Sequence, residues 1–119
     1  MILFPEMALT GYNIGTERIH ALAEPSSGAM VQALRNMAKR HNIGILCGFP
    51  ELDGVRVFNS AALIDASGML LSICRKAHLF GDVDRVAFSA ADAMCPVVQF
   101  GDWTLGVAIC YDVEFPELV

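Results

Sequence analysis

The chain has 119 residues, 55% of them apolar, and a formal net charge of -5. That length suits one domain with a single core. The acidic balance and the eight scattered Lys and Arg exclude sequence-independent nucleic-acid binding, which needs clustered cations against phosphates. No apolar run reaches the roughly 20 residues of a membrane span, and no signal peptide is expected, so the protein is expected in the cytoplasm with no membrane partner.

Residues 1–4 read as the end of a buried strand, stopped by Pro5-Glu6. A loop follows, with Gly11 and Gly15 as turn residues. Residues 16–23 form a short helix or turn. Pro25-Ser26-Ser27-Gly28 signals the start of a longer helix. Over Ala29–His41, the apolar residues Met30, Val31, Leu34, Met37 and Ala38 recur at the spacing of one buried helical face. Asn42 with Ile43-Gly44 ends that helix.

Residues 43–50 are a continuous apolar run, read as a strand covered on both faces. Turn signals at Asp53-Gly54 and Ala66-Ser67-Gly68 separate it from strands over 55–64 and 69–75, which predicts an antiparallel meander. Residues 76–93 are irregular and polar. Residues 97–100 and 104–109 flank Gly101-Asp102 and predict a hairpin. Cys110 closes the last strand, and a helix is expected from Asp112, whose acidic first turns suit the positive end of a helix dipole.

Cys47, Cys74, Cys95 and Cys110 form no C-x-x-C pair and have no His at zinc-ligand spacing. No metal is expected, and free thiols fit better than a disulfide framework.

Three strand ends carry reactive groups. Cys110 lies at a strand-to-helix elbow, where backbone amides favour a thiolate and can hold an oxyanion. The same pattern also describes a buried structural cysteine. Glu6 follows the first strand, where an apolar setting makes a carboxylate a useful base; a solvated loop acid is the plainer alternative. Lys76, in Arg75-Lys76-Ala77-His78, either stabilises negative charge or blunts a strand edge. A hydrogen-bonding role is expected for His78. In α/β sheets, sites gather at the carboxyl ends of strands, so the three groups are expected to converge.

The stretches Leu3-Phe4-Pro5-Glu6 with Leu9-Thr10-Gly11-Tyr12, Cys74-Arg75-Lys76-Ala77-His78-Leu79, and Gly106-Val107-Ala108-Ile109-Cys110-Tyr111-Asp112 through Phe115-Pro116-Glu117 resemble the nitrilase (carbon–nitrogen hydrolase) superfamily. The resemblance implies an α/β fold, part of a four-layer α-β-β-α sandwich. It implies Glu6 as base, Lys76 as oxyanion stabiliser and Cys110 as nucleophile, acting through a thioester. The Tyr111 backbone N–H would complete the oxyanion hole. Asp84 falls where many members have a second glutamate, one methylene longer. The segment from His78 to Arg85 is similar to that of aliphatic amidases acting on ω-amino amides.

The implied substrate is a small amide, with no cofactor and a homo-oligomeric full-length form. Against the family pattern, residues 1–119 are expected to be a partial domain, lacking the first strand and helix and the C-terminal half. The alternative is a catalytically inactive truncated fragment or paralogue that needs a partner to fold.

Overall fold

The computed structural model describes residues 1–118. The sheet at its centre follows from the turn signals. β2 (Ile45–Asp53), β3 (Arg56–Ile64) and β4 (Leu70–Arg75) form the expected antiparallel meander. Gly54 and Gly68 supply the left-handed turn backbone, at φ 60° and 84°. β1 (Ile2–Leu3) adds to β2 in parallel, giving the order β1-β2-β3-β4. Ile2 and Leu3 are 43% and 64% exposed, so this strand is not buried as expected. Among the described residues it is an edge strand, paired with β2 alone.

Helix α1 (Thr16–Leu22) is short, and α2 (Ala29–His41) has the predicted bounds. Asn42 ends α2 in a left-handed cap, at φ 49°. Val31, Leu34 and Ala38 of α2 pack on Ile45, Cys47, Phe49, Ala62 and Ile64. Met37, predicted on the same face, is exposed. Because strand side chains alternate, β2 residues 45, 47 and 49 face α2, while Leu46, Gly48 and Pro50 face the opposite side. Through the register Gly48↔Ala61 and Pro50↔Asn59, the opposite side also carries Ala61 and Asn59. The site assembles on that side.

Residues 76–93, expected to be irregular, contain a five-residue helix α3 (Gly81–Arg85). The Gly101-Asp102 hairpin forms as β5 (Val98–Phe100) and β6 (Trp103–Leu105), a two-stranded sheet of its own. Residues 106–109 are not strand. Cys110–Glu114 and Pro116–Leu118 are 3₁₀ turns where an α-helix was expected. The free-thiol expectation is corrected for two cysteines: Cys74 and Cys95 are disulfide-bonded. The loop after β4 doubles back beside its own strand, where the Ala91 N–H donates to the Lys76 carbonyl. That return brings a sequence-distant cysteine beside Cys74. Cys47, buried, and Cys110, exposed, are free.

Gly48 is the point where the chain after β1 crosses β2. A Cβ there would lie 2.5 Å from the Met7 nitrogen and 2.9 Å from the Pro5 carbonyl oxygen. Both are backbone atoms on either side of Glu6, so a methyl group must displace that segment. Gly48→Ala is expected to cost about 2 kcal/mol, in the range for overpacking. Urea denaturation measures it; an unchanged midpoint would contradict the crossing argument.

Candidate active site

Glu6 is turned inward by its neighbour. Met7 has a left-handed backbone, φ 54°, unusual for a residue with a side chain. Its side chain is fully buried with Ile19, Val57, Ala87 and Phe88, and that packing holds the turn in place. Lys76 follows β4 directly and is 1% exposed. Its Nζ donates to Glu6 Oε1 and to Asp84 Oδ2, each at 2.7 Å. Asp84, on α3, is completely buried. It also accepts from Tyr12 OH at 2.9 Å and from the Phe80 N–H at 2.8 Å. Glu6, Lys76 and Asp84, three of the five site residues expected from sequence, are therefore joined in one network around a single ammonium.

Desolvation opposes the charge on Lys76, but hydrogen bonds and Coulomb attraction from Asp84 and Glu6 outweigh it and raise its pKa above the usual lysine value. Burial likewise pushes the Tyr12 hydroxyl up, reinforced by Asp84. Tyr12 thus donates a hydrogen bond to Asp84 and stays neutral.

Cys110 has φ 50°, a left-handed elbow that presents its thiol to solvent. Although the residue is exposed, partial desolvation is the largest cause raising its thiol pKa. The nearby Glu6 carboxylate adds to it, while Lys76 and the Tyr111 backbone N–H act in the opposite sense. Glu6 and Cys110 face the same small space. A small cavity of about 100 Å³ lies here, lined by Pro5, Glu6, Gly48, Ile109 and Cys110 among others.

Three further residues, passed over in the sequence, hold this arrangement. Asn59 Nδ2 donates to Glu6 Oε1 at 2.7 Å. Tyr12 steadies Asp84, and its ring centroid is 5.9 Å from Lys76 Nζ. Asp112 bridges two loop segments: its carboxylate accepts from the Ile109 N–H at 3.2 Å and the His78 N–H at 2.8 Å. His78 Nδ1 lies 3.1 Å from the same carboxylate, and the ring stacks on Phe115 at 3.6 Å. The available signal was a polar residue inside an apolar strand for Asn59, and an acid inside a quoted motif for Asp112.

The family model for carbon-nitrogen hydrolase matches residues 1–119. The chain belongs to the carbon-nitrogen hydrolase family. A Pseudomonas protegens protein described as a hydrolase in the pqqF 5' region is 46% identical over 119 residues, covering 98% of this chain and 41% of that protein. An (R)-stereoselective amidase from Pseudomonas sp. is 33% identical over 117 residues, again covering 98% of this chain and 41% of that protein. The solved structure of Saccharomyces cerevisiae Nit3, a member of the nitrilase superfamily, superposes with a TM-score of 0.84 at 27% identity, covering 98% of this chain and 44% of that one. The chain thus spans 41% of the length of each of these two curated relatives. Its α/β fold is that of the nitrilase superfamily. Among the described residues, no helix is long and apolar enough to cross a membrane.

Proposed function

We propose that the complete gene product carrying this chain is an amidase, hydrolysing small linear amides to a carboxylic acid and ammonia through a Cys110 thioester. The observation that carries this reading is the Lys76 ammonium bridging Glu6 and Asp84, with Glu6 and Cys110 lining one small cavity. A base, a fixed cation and a nucleophile are what acyl transfer needs. The amidase relative supports the amide as substrate class.

In this reading Glu6 takes the Cys110 proton as the sulfur attacks the amide carbon. The C=O electron pair moves onto oxygen, beside Lys76 and the Tyr111 N–H. When the tetrahedral intermediate collapses, the C–N bond breaks and Glu6 returns its proton to the leaving nitrogen. Ammonia departs, leaving an acyl thioester on Cys110. Glu6 then deprotonates a water that attacks the thioester carbon, the C–S bond breaks, and the thiol is restored. Asp84 keeps Lys76 charged and aimed. No metal or cofactor is required by these steps.

The test is ammonia release from butyramide and 5-aminopentanamide, with intact-mass detection of an acyl adduct mapped to Cys110. Loss of turnover in Cys110→Ala is expected; turnover retained in that variant would sink the reading. A second expectation concerns thiol reactivity. Iodoacetamide should modify Cys110 alone in the folded protein, because Cys74 and Cys95 are paired and the buried Cys47 thiol is pushed up to about 11. The Cys110 pKa is itself raised, so its labelling rate should increase as pH rises above neutral. Peptide mapping reads the result, and labelling of Cys47 with activity retained would contradict it.

A further inference from the structure

We infer that Asn59 is a positioning residue for the Glu6 base, fixing which carboxylate oxygen receives the proton of Cys110. The inference rests on the catalytic reading of Glu6 and Cys110 given above. Asn59 lies in the middle of β3, between Phe58 and Ser60, and is 1% exposed. Its Nδ2 donates to Glu6 Oε1 at 2.7 Å, and Lys76 Nζ donates to that same oxygen at 2.7 Å. A carboxylate oxygen has about two lone-pair sites, so these two donors fill Oε1. They fix the plane of the carboxylate and leave its second oxygen as the acceptor for the thiol. The Asn59 carbonyl also accepts the Lys76 N–H at 2.9 Å. One residue therefore touches both the base and the backbone that carries the cation.

The other half of the amide separates a functional role from a structural one. Among the described residues, Asn59 Oδ1 is buried without a hydrogen-bond partner. Buried polar atoms are almost always paired, and an orphaned acceptor costs stability. Turning the amide over does not resolve this, because it would set the carbonyl oxygen against a carboxylate that has no proton to give. A leucine has nearly the same volume and would leave no orphan among the apolar residues of β3. Stability by itself gives no reason for an asparagine here, whereas the bond to Glu6 does. The position also needs a neutral donor. A second ammonium there would compete with Lys76, and a second carboxylate would repel Glu6.

The experiment measures kcat and KM for butyramide and 5-aminopentanamide in the complete gene product. Wild type, Asn59→Leu, Asn59→Ala, Glu6→Gln and Cys110→Ala are compared, with far-UV circular dichroism and Tm for each. Asn59→Leu is expected to fold, with Tm within about 4 °C of wild type. Its kcat should fall about thirtyfold with KM changed by less than about threefold, because a misaimed base slows the chemical step without altering substrate contacts. Asn59→Ala should show the same split, with a lower Tm from the space it leaves. A folded Asn59→Leu or Asn59→Ala with kcat within about threefold of wild type overturns the inference. So does failure of both variants to fold, which would make Asn59 a structural residue. If Glu6→Gln and Cys110→Ala are inert while the Asn59 variants behave as wild type, only the role of Asn59 fails. Activity in Glu6→Gln or Cys110→Ala, or none in wild type, sinks the catalytic reading and this inference with it.

Discussion

Replacing Lys76 by Met in the complete gene product is expected to lower kcat by about a thousandfold or more and to destabilise the fold by about 3–5 kcal/mol. The two effects share one cause. Lys76 is enclosed, and its Nζ is the common partner of Glu6 and Asp84 at 2.7 Å each. Methionine matches the stem of lysine, so little packing is lost. What disappears is the charge, leaving two carboxylates facing each other without a counterion. Removing one partner of a buried ionic group costs more than the group contributed, because the remaining charge is stranded. In the proposed mechanism, loss of a preorganised oxyanion donor alone would slow acyl transfer by about a hundredfold to a thousandfold, and disorder of Glu6 would add to that.

The sign of the pH dependence follows from the raised Lys76 pKa. A base whose pKa is higher folded than unfolded contributes stability that is fully present below its unfolded value, 10.5, and is lost as pH rises through the folded value. Wild type should therefore keep this contribution between pH 7 and 9. Urea denaturation across that range and steady-state ammonia release are the measurements. A folded Lys76→Met with kcat within tenfold of wild type would remove Lys76 from the mechanism.

Asp84→Ala is expected to cost a similar 3–5 kcal/mol and to reduce kcat by at least about a hundredfold. The carboxylate accepts from three donors, Lys76 Nζ, Tyr12 OH and the Phe80 N–H, and is fully buried. Truncation leaves a hydroxyl and an amide without partners, as well as a cavity. It also frees the ammonium to lean wholly on Glu6, which in the proposed mechanism pulls the base away from the thiol. Asp84→Asn separates charge from shape. An asparagine can keep its carbonyl towards Lys76 and Phe80, with its amide against the Tyr12 oxygen, which accepts as well as donates. Its loss should be roughly half that of alanine in free energy, since hydrogen bonds survive and the charge does not. An Asp84→Ala protein with wild-type kcat and stability would show that Lys76 needs only Glu6.

The sequence by itself determined the elements whose signals are local. The α2 bounds came from an apolar spacing over 13 residues and a Gly–Asn pair at its ends. The meander came from two glycine turns between apolar runs. The family could be read because each motif is a short contiguous string at the end of an element. Tertiary structure decided whatever depends on pairs far apart in the chain. Lys76 meets Glu6 across 70 residues, Tyr12 meets Asp84 across 72, and Asn59 meets Glu6 across 53. No local period encodes such pairs. The disulfide likewise depends on a loop returning across 21 residues to its own strand. The first strand misled for the same reason: Ile2 and Leu3 are as apolar as a buried strand, but burial is set by what lies on the far side, and at the sheet edge they stay exposed. A turn at Cys110 was legible from the sequence. Its left-handed backbone and 3₁₀ turn were not, because they come from the Asp112 carboxylate drawing the Ile109 and His78 amides together rather than from helix propensity.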